Sequence, residues 1–324
     1  MLVLMNYHVS FPRLGIHDLS INRIAFQFSL FGRQFTVFWY GLIFALAMVL
    51  CIVLAMRHAK RYQLTGDDIL DTFLWMIPLI LVGSRLYYVV FEWDQFKGNW
   101  RSIADFRQGG LAFYGGVIGG ILAIMITAKL KRIKLHRLLD FFAVYVPLGQ
   151  AIGRWGNFFN QEAFGSNTSL PWGMISEGTR QGLAALNRDL TNPLPGLNPD
   201  LPVHPTFLYE FIANIIIFVV LIFVRRRSSR PWVTVHTYFL LYGFVRFFVE
   251  GIRTDSLKFK LFSCDLRVSQ VLSAAMVLFS SAFLIAIYLR GRKRDRIVAG
   301  ISGVPEGIAE IKELMPEETA DKQV

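Results

Sequence analysis

The sequence is short of charge. Asp, Glu, Lys and Arg make up 18% of its 324 residues, against about 25% in ordinary soluble domains, while hydrophobic residues reach 54%. Charge is also missing in blocks: positions 35–56 and 268–289 each run 22 residues without a charged side chain, and 110–128 runs 19. About 20 such residues, at 1.5 Å rise each, cross a hydrocarbon core, so a soluble globular fold is excluded. Cysteine is scarce too. Cys51 and Cys264 fall at opposite ends of candidate spans, so no disulfide between them and no cysteine-based redox or metal motif is expected. No cluster of His, Cys, Asp or Glu at ligand spacing occurs, and no metal is expected. No Gly-x-x-x-x-Gly-Lys-Ser/Thr loop implies ATP; no cofactor is expected. The first 34 residues lack the basic-then-apolar pattern of a signal peptide. No internal repeat supports an inverted-repeat transporter. The Lys and Arg excess is not gathered on one aromatic-interleaved soluble face, which argues against nucleic-acid binding.

What is present is a series of seven candidate spans, at about 35–56, 72–91, 110–128, 138–153, 207–224, 232–249 and 268–289. The fold class expected is an all-α integral membrane protein of seven transmembrane helices with a turn-rich extracytoplasmic head. The connecting segments alternate in basic density: 57–70, 129–137, 225–231 and 290–296 hold 17 Lys and Arg in 37 positions, whereas 1–34, 92–109, 154–206 and 251–267 hold 13 in 122. Basic loops stay in the cytoplasm, so the N-terminus is expected outside and the C-terminus inside. Segment 154–206 carries half of the twelve prolines (Pro171, Pro193, Pro195, Pro199, Pro202, Pro205), which marks a turn-rich head and not another helix. Residues 1–296 form the expected membrane domain. The tail 297–324, with six acids and two lysines, reads as a disordered acidic segment, although 305–315 has the spacing of a short amphipathic helix.

A charge near the bilayer centre costs about 2.5–3.5 kcal/mol on insertion scales, so the few inside or at the ends of spans need a reason. Arg85 lies in Gly83-Ser84-Arg85, Arg154 ends the fourth span, and Arg246, Glu250 and Arg253 close the sixth. The last three are spaced i, i+4, i+7, on one helical face with the acid between two bases. They, with Arg85, are read as structural ion pairs, or as part of a site in the case of Arg246. Gly153-Arg154-Trp155-Gly156-Asn157, running on to Glu162 and Gly165, offers donors suited to phosphate oxygens beside glycines that admit a ligand; a snorkelling Arg with an interfacial Trp would explain it as well. The Gly-xxx-Gly pairs of 109–120 read as close helix packing, or as a headgroup passage faced by the Tyr114 hydroxyl. Tyr40 is an interfacial belt residue or a ligand. His204, opening His204-Pro205-Thr206-Phe207-Leu208-Tyr209-Glu210, is a cap or a ligand.

Across these motifs the chain resembles the prolipoprotein diacylglyceryl transferases. The likeness runs from Phe38-Trp39-Tyr40-Gly41 to Tyr242-Gly243-x-x-Arg246-Phe247-x-Val249-Glu250-x-x-Arg253, and its most specific part is Gly153-Arg154-x-Gly156-Asn157-Phe158-x-Asn160-x-Glu162-x-x-Gly165. The resemblance implies a bacterial cytoplasmic (inner) membrane enzyme, multi-pass, with its active site toward the extracytoplasmic side. It implies transfer of diacylglycerol from phosphatidylglycerol to the lipobox cysteine of a prolipoprotein, with release of glycerol 1-phosphate. Arg154, Arg246, Tyr114 and Glu162 are then the catalytic candidates. Arg154, Asn157, Gly165, Tyr40, Arg246 and His204 are the candidates for binding phosphatidylglycerol. Members carry His or Tyr before the Gly-Gly that here is Gly115-Gly116; with Tyr114 in this chain, the proton acceptor is open. Glu162 would orient an arginine or bind a glycerol hydroxyl. A transporter or flippase for an anionic lipid or small anion is the alternative. It would carry its charges at the midplane, whereas these lie toward span ends. A seven-span receptor would want longer cytoplasmic loops.

Overall fold

The computed structural model describes residues 6–302 except 99, 106–108, 189–196, 229, 255, 257 and 262–263. The tail beyond Ser302, including the helix expected at 305–315, lies outside them. Helix dominates, yet the chain opens on strands: β1 (Asn6–Phe11), β2 (Ile16–Asn22), β3 (Ile24–Leu30) and β4 (Arg33–Phe38). An all-α fold is therefore corrected at its edges. The β3–β4 register pairs Leu30 with Arg33 across Phe31 and Gly32, both at positive φ, the backbone that a two-residue hairpin turn requires. Phe28 stacks on its cross-strand neighbour Phe35 at 5.4 Å. Alternation of period 2 in Phe26, Phe28 and Leu30 was hidden by the general hydrophobicity of the region.

The helices are α1 (Trp39–Ala59), α2 (Gly66–Phe91), the single turns α3 (Trp93–Phe96) and α4 (Trp100–Ile103), α5 (Phe113–Leu130), α6 (Leu135–Ala143), α7 (Tyr145–Asn160), α8 (Glu177–Arg188), α9 (Thr206–Arg227), α10 (Val233–Ile252) and α11 (Val268–Ser302). Among the described residues, five helical stretches are long and apolar enough to cross a membrane: Trp39–Tyr62, Gly66–Phe91, Phe113–Leu130, Thr206–Arg227 and Val268–Gly291. The span expected at 138–153 is broken at Val144 into α6 and α7. Pro147 has no N–H to return to the carbonyl of Ala143, four residues back, which is where the break falls. The 232–249 stretch is a continuous helix, α10, weighted by Arg246 and Glu250. Residues 297–302, placed in a disordered tail by composition, continue α11.

Side-chain pairs set the helix directions. Glu210, near the start of α9, meets Arg154 near the end of α7, while Arg225 at the far end of α9 donates to the Phe141 carbonyl at 3.1 Å and to Tyr145 Oη at 3.4 Å. Thus α9 runs antiparallel to α7, and by Glu210–Arg246 antiparallel to α10 as well. The start of α10 is held by Asp140, which accepts from the backbone N–H of Trp232 and Val235 at 2.6 and 2.9 Å. The start of α2 is closed by a capping box in which Thr65 Oγ1 accepts from Asp68 N and Asp68 Oδ2 from Thr65 N.

The glycine stripe packs against α2. A Cβ on Gly115 would stand 2.5 Å from Tyr87 Cβ and collide with the Gly83 backbone, so both glycines are required for this approach. The close packing expected of these residues is between α5 and α2. Arg85, expected in an ion pair, is buried and donates to five carbonyls: Ile103, Gly109, Gly110, Ser102 and Asp105, at 2.6–3.0 Å. Its charge is met by loop backbone, and Gly110 (φ +73°) leaves room where a Cβ would touch Arg85 Nη1.

Segment 154–206 is not only turns. It contains α8 and the short strand β5 (Ile175–Ser176), and β5 pairs with the N-terminal strand β1 to give the sheet order β2-β1-β5. Val9, Ile21, Phe158, Phe164, Met174, Leu183, Val203 and Phe207 bury one another beneath it. The apolar face of α8 (Leu183, Leu186) was masked by the prolines around it. A backbone hairpin, β6 (Lys258–Leu261) and β7 (Cys264–Arg267), precedes α11.

Candidate functional site

Four charged side chains from three helices converge where α7 ends, α9 begins and α10 ends. Arg154 Nε pairs with Glu210 Oε2. Arg246 Nη1 reaches Glu210 Oε1 at 2.7 Å, and its Nη2 stands 2.5 Å from Glu250 Oε2. The carboxylates are sealed, with side chains 3% and 2% exposed, while the arginine side chains keep 19% (Arg154) and 17% (Arg246). Each arginine is thus held by a carboxylate while part of its side chain stays open. Glu250, expected beside Arg246 and Arg253, does pair with Arg246. Arg253 forms a backbone bridge to Gly165.

Glu210 was missed as a site residue. It was visible as an acid one turn inside an apolar helix, within the His204–Glu210 motif, but nothing in the spacing tied it to arginines 56 and 36 residues away. Burying a carboxylate without cations would be prohibitive, so Glu210 and the two arginines hold one another in place.

From Arg154 a hydrogen-bonded chain leads outward. Arg154 Nη1 donates to Asn157 Oδ1 at 3.3 Å, and Asn157 Nδ2 donates to Glu162 Oε1 at 3.0 Å. Glu162 also accepts from Asn160 Nδ2 at 3.2 Å. Glu162, expected to orient an arginine or bind a glycerol hydroxyl, reaches Arg154 through Asn157, the chain turning at Gln161 (φ +54°) as α7 ends. Tyr40 lies on the other side of α7. A Cβ at Gly156 would be 2.6 Å from Tyr40 Cδ2, so that glycine lets α1 and α7 close on the ring. Gly165 sits where a Cβ would meet His204 Cβ at 2.8 Å, and its N–H donates to the His204 carbonyl at 2.9 Å.

His204 is held by a relay. Trp172 Nε1 donates to Tyr209 Oη at 2.7 Å, leaving the Tyr209 hydroxyl to donate to His204 Nδ1 at 3.0 Å. The remaining ring proton then stands on Nε2. Burial holds the His204 pKa below the usual 6.5, so the ring is neutral at pH 7 and donates from Nε2.

Tyr114 is placed differently from the arginines. Its hydroxyl meets Ser269 Oγ at 3.4 Å. It lines a cavity of about 540 Å³ with Tyr87, Val117, Ile118, Val271 and Leu272. Neither Arg154 nor Arg246 lines it. Among the described contacts no guanidinium touches the Tyr114 hydroxyl. No group of three or more metal-ligating side chains occurs among the described residues, and Cys51 is a free, buried thiol donating to the Tyr145 carbonyl.

Apolar helices of spanning length, joined at one end by a buried cluster of two arginines and two glutamates beneath a mixed lobe, define a multi-pass membrane protein with a charged site at one end of its bundle. The chain matches the family model described as prolipoprotein diacylglyceryl transferase over residues 25–286, and it belongs to that family. It is 40% identical over 260 residues to the phosphatidylglycerol–prolipoprotein diacylglyceryl transferase of Finegoldia magna, covering 80% of this chain and 92% of that protein. The protein of the same name from Clostridioides difficile is 39% identical over 277 residues, with 86% and 99% covered. That of Trichormus variabilis is 38% identical over 274 residues, with 82% and 90% covered.

Proposed function

We propose that this chain transfers the diacylglyceryl group of phosphatidylglycerol to the lipobox cysteine thiol of a prolipoprotein, in the bacterial cytoplasmic membrane. In this reading the thiol gives up its proton and the sulfur attacks the glyceryl carbon that bears the phosphate. The carbon–oxygen bond breaks, a thioether forms, and glycerol 1-phosphate leaves with the electron pair. The phosphate goes from one negative charge toward two as that bond breaks. Cations fixed beside it thus stabilise the transition state more than the ground state. The observation that carries the reading is the pair Arg154 and Arg246, both braced by Glu210, in a chain of this family.

The other residues take supporting parts. Asn157, bonded to both Arg154 and Glu162, and neutral His204 Nε2 donate to phosphate or glycerol oxygens. Tyr40 and Gly165 shape the passage, and Tyr114 hydrogen-bonds the headgroup side of the lipid. Seven spans are proposed, with α6–α7 as the broken fourth and α10 as the sixth. The N-terminus and head lie outside, as the basic loops require. Support comes from the β1–β5 pairing, which puts the N-terminal strands and the head in one lobe.

Purified full-length protein in phosphatidylglycerol vesicles should release glycerol phosphate only with a peptide bearing the acceptor cysteine, and give a diacylglyceryl thioether. Release independent of the thiol would overturn the proposal. External cysteine labelling should reach a site at Asn187 and not one at Lys131; the reverse pattern would invert the topology.

A further inference from the structure

Three segments of the chain converge on the His204 ring. The strand-like stretch 202–204 lies against the loop 166–174: the Val203 N–H donates to the Met174 carbonyl at 2.8 Å, and the His204 N–H to the Ser166 carbonyl at 3.0 Å. That loop is tightly turned. The Gly173 N–H returns to the Leu170 carbonyl at 3.0 Å, and a Cβ on Gly173 would stand 2.9 Å from Pro202 Cβ. The turn delivers Trp172 to Tyr209, near the start of α9, where the indole N–H donates to the phenol oxygen at 2.7 Å. An indole nitrogen can only donate, so Tyr209 spends a lone pair on it and turns its own proton to His204 Nδ1 at 3.0 Å. Tyr209 also stands edge-on to the imidazole, with ring centroids 5.9 Å apart. Burial of the ring disfavours its charged form as well.

We propose that Trp172 and Tyr209 are positioning residues for the transfer, holding His204 as a neutral Nε2–H donor to a phosphate oxygen of the lipid headgroup. An imidazole without such a partner can carry its proton on either nitrogen. The choice matters for one kind of ligand atom. A glycerol hydroxyl both donates and accepts, so it would bind either form; a phosphate oxygen only accepts, and needs the N–H. A fixed Nε2–H therefore fits phosphate. The ring also stands beside the arginine site. The His204 carbonyl accepts from the Gly165 N–H at 2.9 Å, three residues past Glu162, where the chain Arg154–Asn157–Glu162 ends. As the phosphate gains charge, a donor already turned toward it strengthens its bond without reorganising, so the benefit falls on the barrier more than on lipid binding. The phosphate in this inference rests on the transfer reading; the tautomer rests on the hydrogen bonds alone.

Nuclear magnetic resonance of full-length protein with isotope-labelled histidine ring nitrogens, in detergent at neutral pH, reads the tautomer, and His204→Phe identifies the signals that belong to this ring. The parent should show Nε2 protonated and Nδ1 bare. Tyr209→Phe, which removes only the hydroxyl, should give a mixture of the two forms. An Nδ1–H parent, or a signal unmoved by Tyr209→Phe, would overturn the relay. In phosphatidylglycerol vesicles with acceptor peptide, Tyr209→Phe should lower kcat for glycerol phosphate release about three- to tenfold, with the lipid KM within about twofold of the parent. Trp172→Phe, which keeps a ring and loses the N–H, should lower kcat in the same direction. A raised lipid KM at parental kcat would place the bond on a part of the lipid whose charge does not change, and overturn the assignment to phosphate. A folding defect would act with or without the imidazole, so both substitutions are repeated in His204→Phe. Neither should lower kcat further there; additive losses would make Trp172 and Tyr209 merely structural. If Tyr209→Phe shifts the tautomer as expected but the parent never forms a thioether, the transfer reading fails and the tautomer assignment stands. If the parent forms the thioether and both variants keep its kcat, the positioning role fails and the transfer reading stands.

Discussion

Replacing Glu210 by Gln separates the two jobs of the charged cluster. The carboxylate uses one oxygen for Arg246 Nη1, at 2.7 Å, and the other for Arg154 Nε. A glutamine of the same shape offers one carbonyl oxygen, and its NH₂ faces the other arginine as a donor against a donor. One guanidinium therefore loses a hydrogen bond to a charged group, worth about 1.5–3 kcal/mol. Arg246 retains Glu250, so Arg154 is the side chain released. If its placement matters only when the phosphate gains charge, that loss appears in the barrier. At about 1.4 kcal/mol per tenfold, kcat should fall roughly 10- to 150-fold. Removing a negative charge from beside the lipid phosphate should at the same time leave the KM for phosphatidylglycerol unchanged or lower. Steady-state release of glycerol phosphate against lipid and peptide concentration separates the two constants, with circular dichroism and thermal unfolding in detergent to confirm a folded helix bundle. A folded Glu210→Gln with parental kcat would refute the bracing argument, and so would a tenfold rise in lipid KM at constant kcat.

Tyr114→Phe should raise the barrier by about 1.5–3 kcal/mol, the worth of a lost hydrogen bond to a charged group, without recovery at high pH. A fall beyond about 10³-fold that recovers above the thiol pKa of about 8.5 would make Tyr114 the proton acceptor instead. Gly115→Val should destabilise the α2–α5 contact by about 1–3 kcal/mol or more through overpacking against Gly83 and Tyr87, read as a lower unfolding temperature; parental stability would contradict the close approach. For His204, burial lowers the folded-state pKa below 6.5, so the stability carried by the neutral ring is complete above pH 6.5 and is lost as pH falls through the lower folded value. The unfolding midpoint should drop on acidification below that point, and His204→Gln should flatten the drop; an identical acid profile in the variant would remove His204 as its cause.

How much of this was legible beforehand follows from where each signal lives. Span length and uncharged runs are local properties, and all five helices of spanning length fall on spans read from the sequence, three of them on the long uncharged runs. The broken fourth helix was readable only at Pro147, whose missing N–H acts on a carbonyl four residues back. The N-terminal strands and α8 were hidden for opposite reasons. In β3 and β4 apolar residues are too common for alternation to stand out, and in the head prolines obscured a short helix between them. At the site, Arg154 and Arg246 stood out because charge is scarce near those helices. Glu210 did not, since its role depends on two partners brought to it by antiparallel packing. Arg85 was expected in an ion pair, and its five bonds to backbone carbonyls could not be foreseen, because carbonyls of a distant loop leave no trace in residue identity.

The central claim is that Arg154 and Arg246 hold the departing phosphate as planar forks, and Arg-to-Lys substitution tests it most directly. Lysine keeps the charge but is a single point donor that cannot span two oxygens. With purified, folded Arg154→Lys and Arg246→Lys proteins in phosphatidylglycerol vesicles, the rate of glycerol phosphate release at saturating acceptor peptide should fall more than tenfold in each, about 1.4 kcal/mol or more in the barrier. Parental turnover in either lysine variant would contradict the claim for that residue.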